Sequence, residues 1–322
     1  MSKIVVTGGA GYVGSHVCFK LHEAAHDVVV VDSLINGHAE FVQWGHLEQL
    51  DLRETEKLTR LLKSLKPDAV FHLASLINVG ESVQKPKLYE SVNVDGTLSL
   101  LTAMKQAQVN TLVFSSSCAI YGVPQFLPLT EDQPKKPLNP YGVTKLKAEH
   151  LLAEAFKDWG LNSVSLRYFN AAGADPLSRV GEDHTPETHL IPLVLDAASG
   201  KRTHIEVFGT DYPTRDGTCV RDYVHVCDLA DAHLLALKFL KSSPGLHAFN
   251  LGSEHGHTVK EIIHAVEKVT YKKVTVKNSE RRPGDPATLV ADSGLAKHAL
   301  GWSPRFTQIE AIIEHAWKWH QS

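Results

Sequence analysis

The first half of the chain is marked by apolar runs with almost no polar alternation. Residues 4–7, 28–32, 47–50, 69–73, 111–116 and 163–167 are predicted as strands. A strand with one wet face would alternate apolar with polar side chains, so continuous apolar runs place these strands in a sheet covered on both sides. Between them, residues 11–25, 54–65, 88–108 and 141–158 read as helices. Strand and helix in strict alternation predict an α/β architecture, a doubly wound parallel sheet. Such sheets bind ligands beyond the carboxyl ends of their strands. Asp32, Asp51, Ser75, the Ser115–Ser117 run and Asn170 fall at those ends. Past residue 170 the pattern loosens into segments rich in Gly, Pro and charge, 174–187 and 209–218 among them. The expected organisation is a cofactor-binding domain over 1–170 and a smaller substrate-binding lobe over 171–322. The strand-like 222–225 and the amphipathic 228–239 look like further pieces of the first domain, so about 220–248 is expected to return to it.

The junction of the first strand and helix carries a specific chemistry. In Lys3-Ile-Val-Val-Thr-Gly-Gly-Ala-Gly-Tyr-Val-Gly-Ser-His16, the glycines Gly8, Gly11 and Gly14 permit a tight turn, close backbone approach to a ligand, and close packing of helix on sheet. The helix then directs its free N–H groups and positive dipole end at an anion, which suits a dinucleotide pyrophosphate. The second strand ends in Asp32, whose carboxylate can accept both hydroxyls of an adenosine ribose and would repel a 2′-phosphate. NAD is therefore expected in preference to NADP.

Charge and composition narrow the partners. With 33 Lys and Arg against 36 Asp and Glu the net charge is −3, which gives no reason to expect nucleic acid or an anionic membrane surface as the main partner. No apolar run approaches a membrane span, and the first strand begins at Lys3, leaving no room for a signal peptide. Cys18, Cys118, Cys219 and Cys227 lack CxxC spacing and read as core thiols in a reducing, cytoplasmic setting. The 19 histidines are scattered without HExxH pairing, so no metal is expected.

Tyr141-Gly-Val-Thr-Lys145 puts a phenol and an ammonium one turn apart on the same helix face. A nearby cation favours a phenolate, so Tyr141 can act as a base toward a substrate hydroxyl while hydride leaves the same carbon. Ser117, at the end of the fifth strand, can hydrogen-bond the oxygen being oxidised. Glycine turn, Asp32, Ser117, Tyr141 and Lys145 occur in the order that such a redox site needs.

On these residues, and on TGGAGYVGSH at 7–16, VGESVQKP at 79–86, NVDGT at 93–97, SSSCAIYG at 115–122, NPYGVTK at 139–145, LRYFNAAGADP at 166–176, FGTDYPTRDGTCVRDYVHVCDLA at 208–230, NLGS at 250–253 and RRPGDPA at 281–287, the chain resembles the UDP-glucose 4-epimerase (UDP-galactose 4-epimerase) family of extended short-chain dehydrogenases/reductases. The resemblance implies a Rossmann domain and tightly held NAD. It implies reversible inversion at C4 of a UDP-hexose: hydride is lent to the cofactor, the 4-keto sugar turns over, and hydride returns to the other face. It assigns catalysis to Ser117, Tyr141 and Lys145. Cofactor contacts fall to Gly8, Gly11, Tyr12, Val13, Gly14, Asp32, Asn36, Asp51, Leu52, Leu73, Ala74, Asn93, Tyr141, Lys145 and Tyr168. Substrate contacts fall to Ser117, Asn170, His189, Phe208, Arg221, Arg282, Asp285 and Leu289, with Arg221 and Arg282 as a diphosphate clamp. It also implies a homodimer built on the helices at 88–108 and 141–158, through Leu98, Leu101, Leu151, Leu152 and Phe156.

Three positions depart from the family pattern. Ile77 stands where a lysine is usual, His189 where an asparagine often touches substrate, and Leu289 where a tyrosine narrows the sugar pocket, so N-acetylated sugars become candidates. A 4,6-dehydratase would need an acid and base after Ser117, where Cys118 and Ala119 stand. Epimerases of UDP-xylose, UDP-arabinose or UDP-glucuronate share the chemistry and remain alternatives. A non-catalytic NAD-binding sensor would be expected to lack the Tyr/Lys pair.

Overall fold

The computed structural model describes residues 1–282 and 284–322. Pro283, inside the Arg-Arg-Pro-Gly-Asp-Pro-Ala motif, lies outside the described residues. The first half runs β1 (Lys3–Thr7), α1 (Tyr12–Glu23), β2 (Asp27–Asp32), β3 (His46–Gln49), α2 (Thr55–Leu65), β4 (Ala69–His72), α3 (Val79–Gln84), α4 (Pro86–Tyr89), α5 (Gly96–Ala107), β5 (Thr111–Ser117), α6 (Pro140–Trp159) and β6 (Asn162–Tyr168). The second half runs β7 (Asn170–Ala172), α7 (Leu190–Ser199), β8 (Ile205–Phe208), β9 (Val220–His225), α8 (Val226–Ser242), β10 (Leu246–Leu251), β11 (Gly256–Thr258), α9 (Val259–Thr270), β12 (Val276–Ser279), β13 (Thr288–Leu289), α10 (Gly294–Leu300) and α11 (Ile309–His320).

The main sheet has seven strands in the order β10-β6-β5-β4-β1-β2-β3, every pairing parallel. Its apolar strands are buried on both faces, as the missing alternation requires. On one face Ile4, Val6, Val28 and Val30 pack with Val17 and Leu21 of α1 and Leu229, Leu237 and Leu240 of α8. On the other, Val5, Val29, Val31 and Val70 pack with Leu58 and Leu62 of α2, Leu100 and Met104 of α5, and Leu152 of α6. The strand order reverses at β1, between β4 and β2, and this switch point opens a crevice at the carboxyl edge.

Three expectations are refined. The helix expected over 88–108 is interrupted: between α4 and α5 lies a π-helical stretch, Glu90–Asp95. The extra residue per turn aims Asn93 inward, where its amide donates to Leu76 O at 3.0 Å and to Thr144 Oγ1 at 3.0 Å and accepts from Leu76 N–H at 2.8 Å. The strand at 220–225 does not join the main sheet. It is β9, in a four-stranded sheet with β7, β11 and β13, whereas α8 directly after it packs against α1 on the main sheet. The chain thus crosses between lobes at the β9–α8 joint. There His225 caps α8 by accepting Cys227 N–H at 3.1 Å. Third, β10, at the sheet edge beside β6, has no counterpart among the expected strands, because its short Leu-His-Ala-Phe-Asn-Leu run has no distinctive period.

The second lobe is the β7/β9/β11/β13 sheet, the β8–β12 pair, and the helices α7, α9 and α11. Its core includes Ile191, Val194 and Leu195 with Ile262, Val266, Ile312 and Ile313. The segment Asn170–Ala172 leaves β6 and immediately pairs with Tyr223–His225 of β9, so the two sheets meet at the edge where the crevice opens.

Candidate active site

A cleft of about 1310 Å³ runs along the carboxyl edge of the main sheet and into the second lobe. At its floor the turn between β1 and α1 is as tight as its glycines allow. Gly8 has φ +76°, and a Cβ there would lie 2.4 Å from Ala74 N; a Cβ on Gly14 would lie 2.0 Å from Gly8 O. Gly11 differs: a Cβ there would come no closer than 3.5 Å to its nearest neighbour, Gly8 O, so its face is open to a ligand. Gly11 precedes α1 with no side-chain cap, which leaves the N–H groups of the first turn directed at the cleft. At the end of β2, Asp32 accepts Ala10 N–H at 3.1 Å and Leu34 N–H at 2.9 Å. Burial raises its pKa above the usual carboxylate value while those N–H groups oppose the rise. This cradle fits a dinucleotide: it offers an anion-binding helix start, backbone that a side chain would block, and a fixed carboxylate for a ribose.

Tyr12, Val13, Asn36, Leu52, Leu73 and Ala74 line the same end of the cleft. Asp51 lines it too, gripped by Arg53 through Nε and Nη2 at 3.2 and 2.6 Å, and this pairing holds its carboxyl below the ordinary range. Asn93 does not line the cleft; its amide is committed to Leu76 and Thr144, so it braces the loop after β4.

Midway along the cleft stand Ser117, Tyr141, Lys145 and Tyr168. Helix α6 starts where Asn139 accepts Gly142 N–H at 2.8 Å and Pro140 occupies the first turn, which fixes the positions of Tyr141 and Lys145. Lys145 is buried, with Nζ donating to Ser115 O at 2.9 Å and lying 5.9 Å from the Tyr141 ring centre. Burial pulls its pKa down to about 7, with Glu149 opposing. Burial pushes Tyr141 well above its ordinary value, and the Ser117 hydroxyl pulls it partly back. Ser117 Oγ also accepts Ala119 N–H at 3.2 Å, which pins the serine at the strand end. Tyr168 is hydrogen-bonded to Ser115 and pushed up to about 12 by burial.

Behind this group Glu149 and Arg167 form a buried bidentate pair, Nε–Oε1 2.9 Å and Nη2–Oε2 2.6 Å, with Ser116 donating to Glu149 at 2.6 Å. The sequence pattern does not reveal this pair, although Glu149 stands one turn past Lys145 on the same helix.

The far end of the cleft belongs to the second lobe and brings together Asn170, His189, Phe208, Arg221, Arg282, Asp285 and Leu289. Arg221 does not pair with its neighbour Asp222, because adjacent strand residues point to opposite faces. Asp222 is buried and accepts the N–H groups of Ser253, Glu254 and Ala291. Arg221 instead donates to Pro286 O at 2.9 Å and lies 3.5 Å from Asp285. Arg282 stacks on Phe208 at 4.1 Å, and Asn170 donates to Asp222 O at 2.9 Å. Leu289, opposite Arg221 in the β9–β13 pair, packs on the cluster of Ile120, Tyr121 and Phe169, and Ile77 lines the wall.

Two of the histidines that look scattered in the sequence also converge. His184 and His189 meet Glu182 and Glu187 on the cleft wall. The signal is present in the chain as the spacing Glu-x-His-x-x-Glu-x-His, which is not a familiar zinc pattern.

The model of the NAD dependent epimerase/dehydratase family matches residues 4–252. A UDP-glucose 4-epimerase of Rhizobium meliloti (strain 1021) is 50% identical over 319 residues, covering 99% of this chain and 97% of that protein. Among solved structures, UDP-glucose 4-epimerase from Brucella ovis in complex with NAD superposes with TM-score 0.96 at 44% identity, covering 99% of this chain and 98% of that one. UDP-glucose-4-epimerase from Stenotrophomonas maltophila with bound NAD and formylated UDP-arabinopyranose does so with TM-score 0.96 at 41% identity, covering 100% and 98%.

Proposed function

Because the chain belongs to the NAD dependent epimerase/dehydratase family, we propose that it is an NAD-dependent isomerase that reversibly inverts C4 of a UDP-hexose, interconverting UDP-glucose and UDP-galactose through a 4-keto sugar. The observation that carries this reading is the placement of Ser117, Tyr141 and Lys145 between a dinucleotide cradle and an arginine-bearing wall in one continuous cleft. NAD, when bound, supplies the hydride acceptor and donor and a positive nicotinamide ring. Gly8, Gly11, Gly14 and Asp32 would hold it, with Tyr12, Val13, Asn36, Asp51, Leu52, Leu73, Ala74 and Tyr168 around it.

The remaining work is done by the chain. Tyr141 takes the proton of the C4 hydroxyl and later returns it; Ser117 hydrogen-bonds the same oxygen; Lys145 stabilises the phenolate. Arg221 and Arg282 hold the diphosphate, Phe208 flanks the uracil, and Asp285 accepts from the uridine ribose. Holding the nucleotide while leaving the sugar free to turn is what allows hydride to return to the opposite face. Asn170 and His189 contact the diphosphate or the sugar. The unit holding NAD corresponds to residues 1–170 with α8 and β10 at 226–251, and the UDP-sugar is gripped by the rest of 171–322.

The reading is tested by proton NMR of purified protein with UDP-galactose and no added NAD. Appearance of UDP-glucose supports it and shows resident cofactor. No turnover even after NAD is supplied, with conversion of UDP-xylose or UDP-glucuronate instead, would reassign the sugar.

Leu289 sets the width of the sugar pocket, so UDP-N-acetylgalactosamine is a second substrate. Leu289→Tyr is expected to cut turnover of the N-acetylated sugar at least about tenfold while UDP-galactose changes little, the scale of a steric mismatch in an apolar pocket. Equal losses on both sugars would contradict this role.

The protein works as a homodimer in the cytoplasm. Leu101 and Leu152 are spent in the core, but Leu98 on α5 and Phe156 on α6 stay 50% and 40% exposed on helices that pack together. Light scattering is expected to show a dimer for the wild type and a monomer for Leu98→Glu combined with Phe156→Glu. Among the described residues, no helix is long and apolar enough to cross a membrane.

A further inference from the structure

The segment that links β7 to α7 carries four metal-ligand side chains that point at one spot. One donor atom from each of Glu182, His184, Glu187 and His189 lies within 4.8 Å of all the others. His189 Nδ1 is 2.7 Å from Glu182 Oε1 and 2.9 Å from Glu187 Oε1; His184 Nδ1 is 3.4 Å from Glu182 Oε1 and 3.7 Å from Glu187 Oε2. Zinc bound by nitrogen and oxygen at about 2.0–2.2 Å in a tetrahedron spaces its ligands about 3.3 Å apart. The four His–Glu separations bracket that value.

In this cluster two Nδ1 hydrogens face three carboxylate oxygens, Glu182 Oε1 and both oxygens of Glu187. Each imidazole Nδ1 can present one hydrogen, yet each faces two carboxylates. Glu187 Oε1 already accepts from Thr188 N–H at 2.6 Å, His189 N–H at 2.8 Å and His189 Nδ1 at 2.9 Å. Glu182, only 6% exposed, has Oε1 buried with both His189 Nδ1 and His184 Nδ1 turned toward it, and His184 Nδ1 is itself buried. More acceptors than hydrogens converging on one buried point suit a centre with several bonding directions.

We propose that Glu182, His184, Glu187 and His189 form a divalent metal site for a borderline transition ion of the zinc class. Two imidazoles exclude magnesium and calcium, which take oxygen ligands. Four protein donors fill a tetrahedron, which marks the site as structural. The surroundings fit a clamp. Trp319 of α11 donates to Glu182 O at 2.9 Å, the Tyr12 ring stands edge-on to His184 with centroids 6.3 Å apart, and His38 pairs with Asp183 O at 3.2 Å. Tyr12 and His38 belong to the cofactor-binding side and Trp319 to the other, so an ion here fixes the wall of the cleft to both lobes. It also places positive charge on that wall.

The test is independent of turnover. Chelator-treated full-length protein is titrated with Co²⁺, followed by its visible spectrum, and then challenged with Zn²⁺. The expected result is one equivalent bound with the intense bands of a four-coordinate ion, displaced by zinc. His184→Ala and Glu182→Gln should each weaken binding by about 100-fold or more, beyond the 10–100-fold typical of losing an outer-shell partner. Zinc should raise Tm in the wild type and leave it unchanged in Glu182→Gln, a readout that holds even where His184→Ala folds poorly. Substoichiometric uptake, the weak spectrum of an octahedral ion, or binding that survives both substitutions overturns the proposal and leaves the cluster held by protons alone.

Discussion

Replacing Tyr141 with phenylalanine is expected to lower kcat on UDP-galactose by about 10²–10⁴-fold, the range for a positioned general acid or base. The substitution removes one oxygen and keeps the ring. Tyr141 sits on a helix whose start is fixed by Asn139 and Pro140, so the local backbone has no reason to shift. Bound NAD and Tm should therefore stay near the wild-type values while turnover collapses. The Ser117 hydroxyl remains beside the site but has no comparable way to become a base. A loss below about tenfold, with NAD content unchanged, would move the proton-accepting role away from Tyr141.

Much of this site is legible in the sequence because its parts are local. The glycine turn needs Gly8 and Gly14 for steric reasons that hold wherever such a turn is built, and Asp32 follows from the end of a buried strand. Tyr141 and Lys145 share a helix face whatever the tertiary context. What is not legible depends on contacts between distant segments. Asn93 looks like a cofactor contact by position, but the π-helical stretch gives its amide to Leu76 and Thr144. Strand β9 has the apolar pattern of a main-sheet strand, yet its partners are β7, β11 and β13, because only pairing decides which sheet a strand enters. The four residues at 182–189 become a cluster only once the loop before α7 folds back on itself. Glu149 is invisible as a partner of Arg167, which comes from the next strand. Burial acts on both groups of the pair: a phenol and a lysine sharing a dry wall are each pushed toward neutrality, against their mutual attraction.

That balance makes Lys145 the second large effect. Glu149 is neutralised by Arg167, and His72, with Nδ1 at 2.8 Å from Thr7 Oγ1 and Nε2 at 2.9 Å from Thr97 Oγ1, is kept neutral at physiological pH by burial, which takes its pKa down to about 3. Lys145 is thus the protein's own cation beside the phenol. A unit charge about 6 Å away at an effective dielectric of about 20 is worth about 3 kcal/mol to a phenolate, roughly 100-fold at 25 °C. Lys145→Met, which keeps length and apolar stem, is expected to lose about that factor in kcat at pH 7 under saturating NAD. The pH dependence gives the sign. Burial places Lys145 near 7, so its charge is fullest below that value and is shed as pH rises, while rising pH ionises Tyr141 without help. The ratio of wild-type to variant kcat should therefore be largest on the acid side and shrink toward pH 9. A ratio that stays flat across that interval would mean that Lys145 acts by holding the cofactor rather than by its charge on Tyr141, because a lost ribose contact would not track the ionisation of either group.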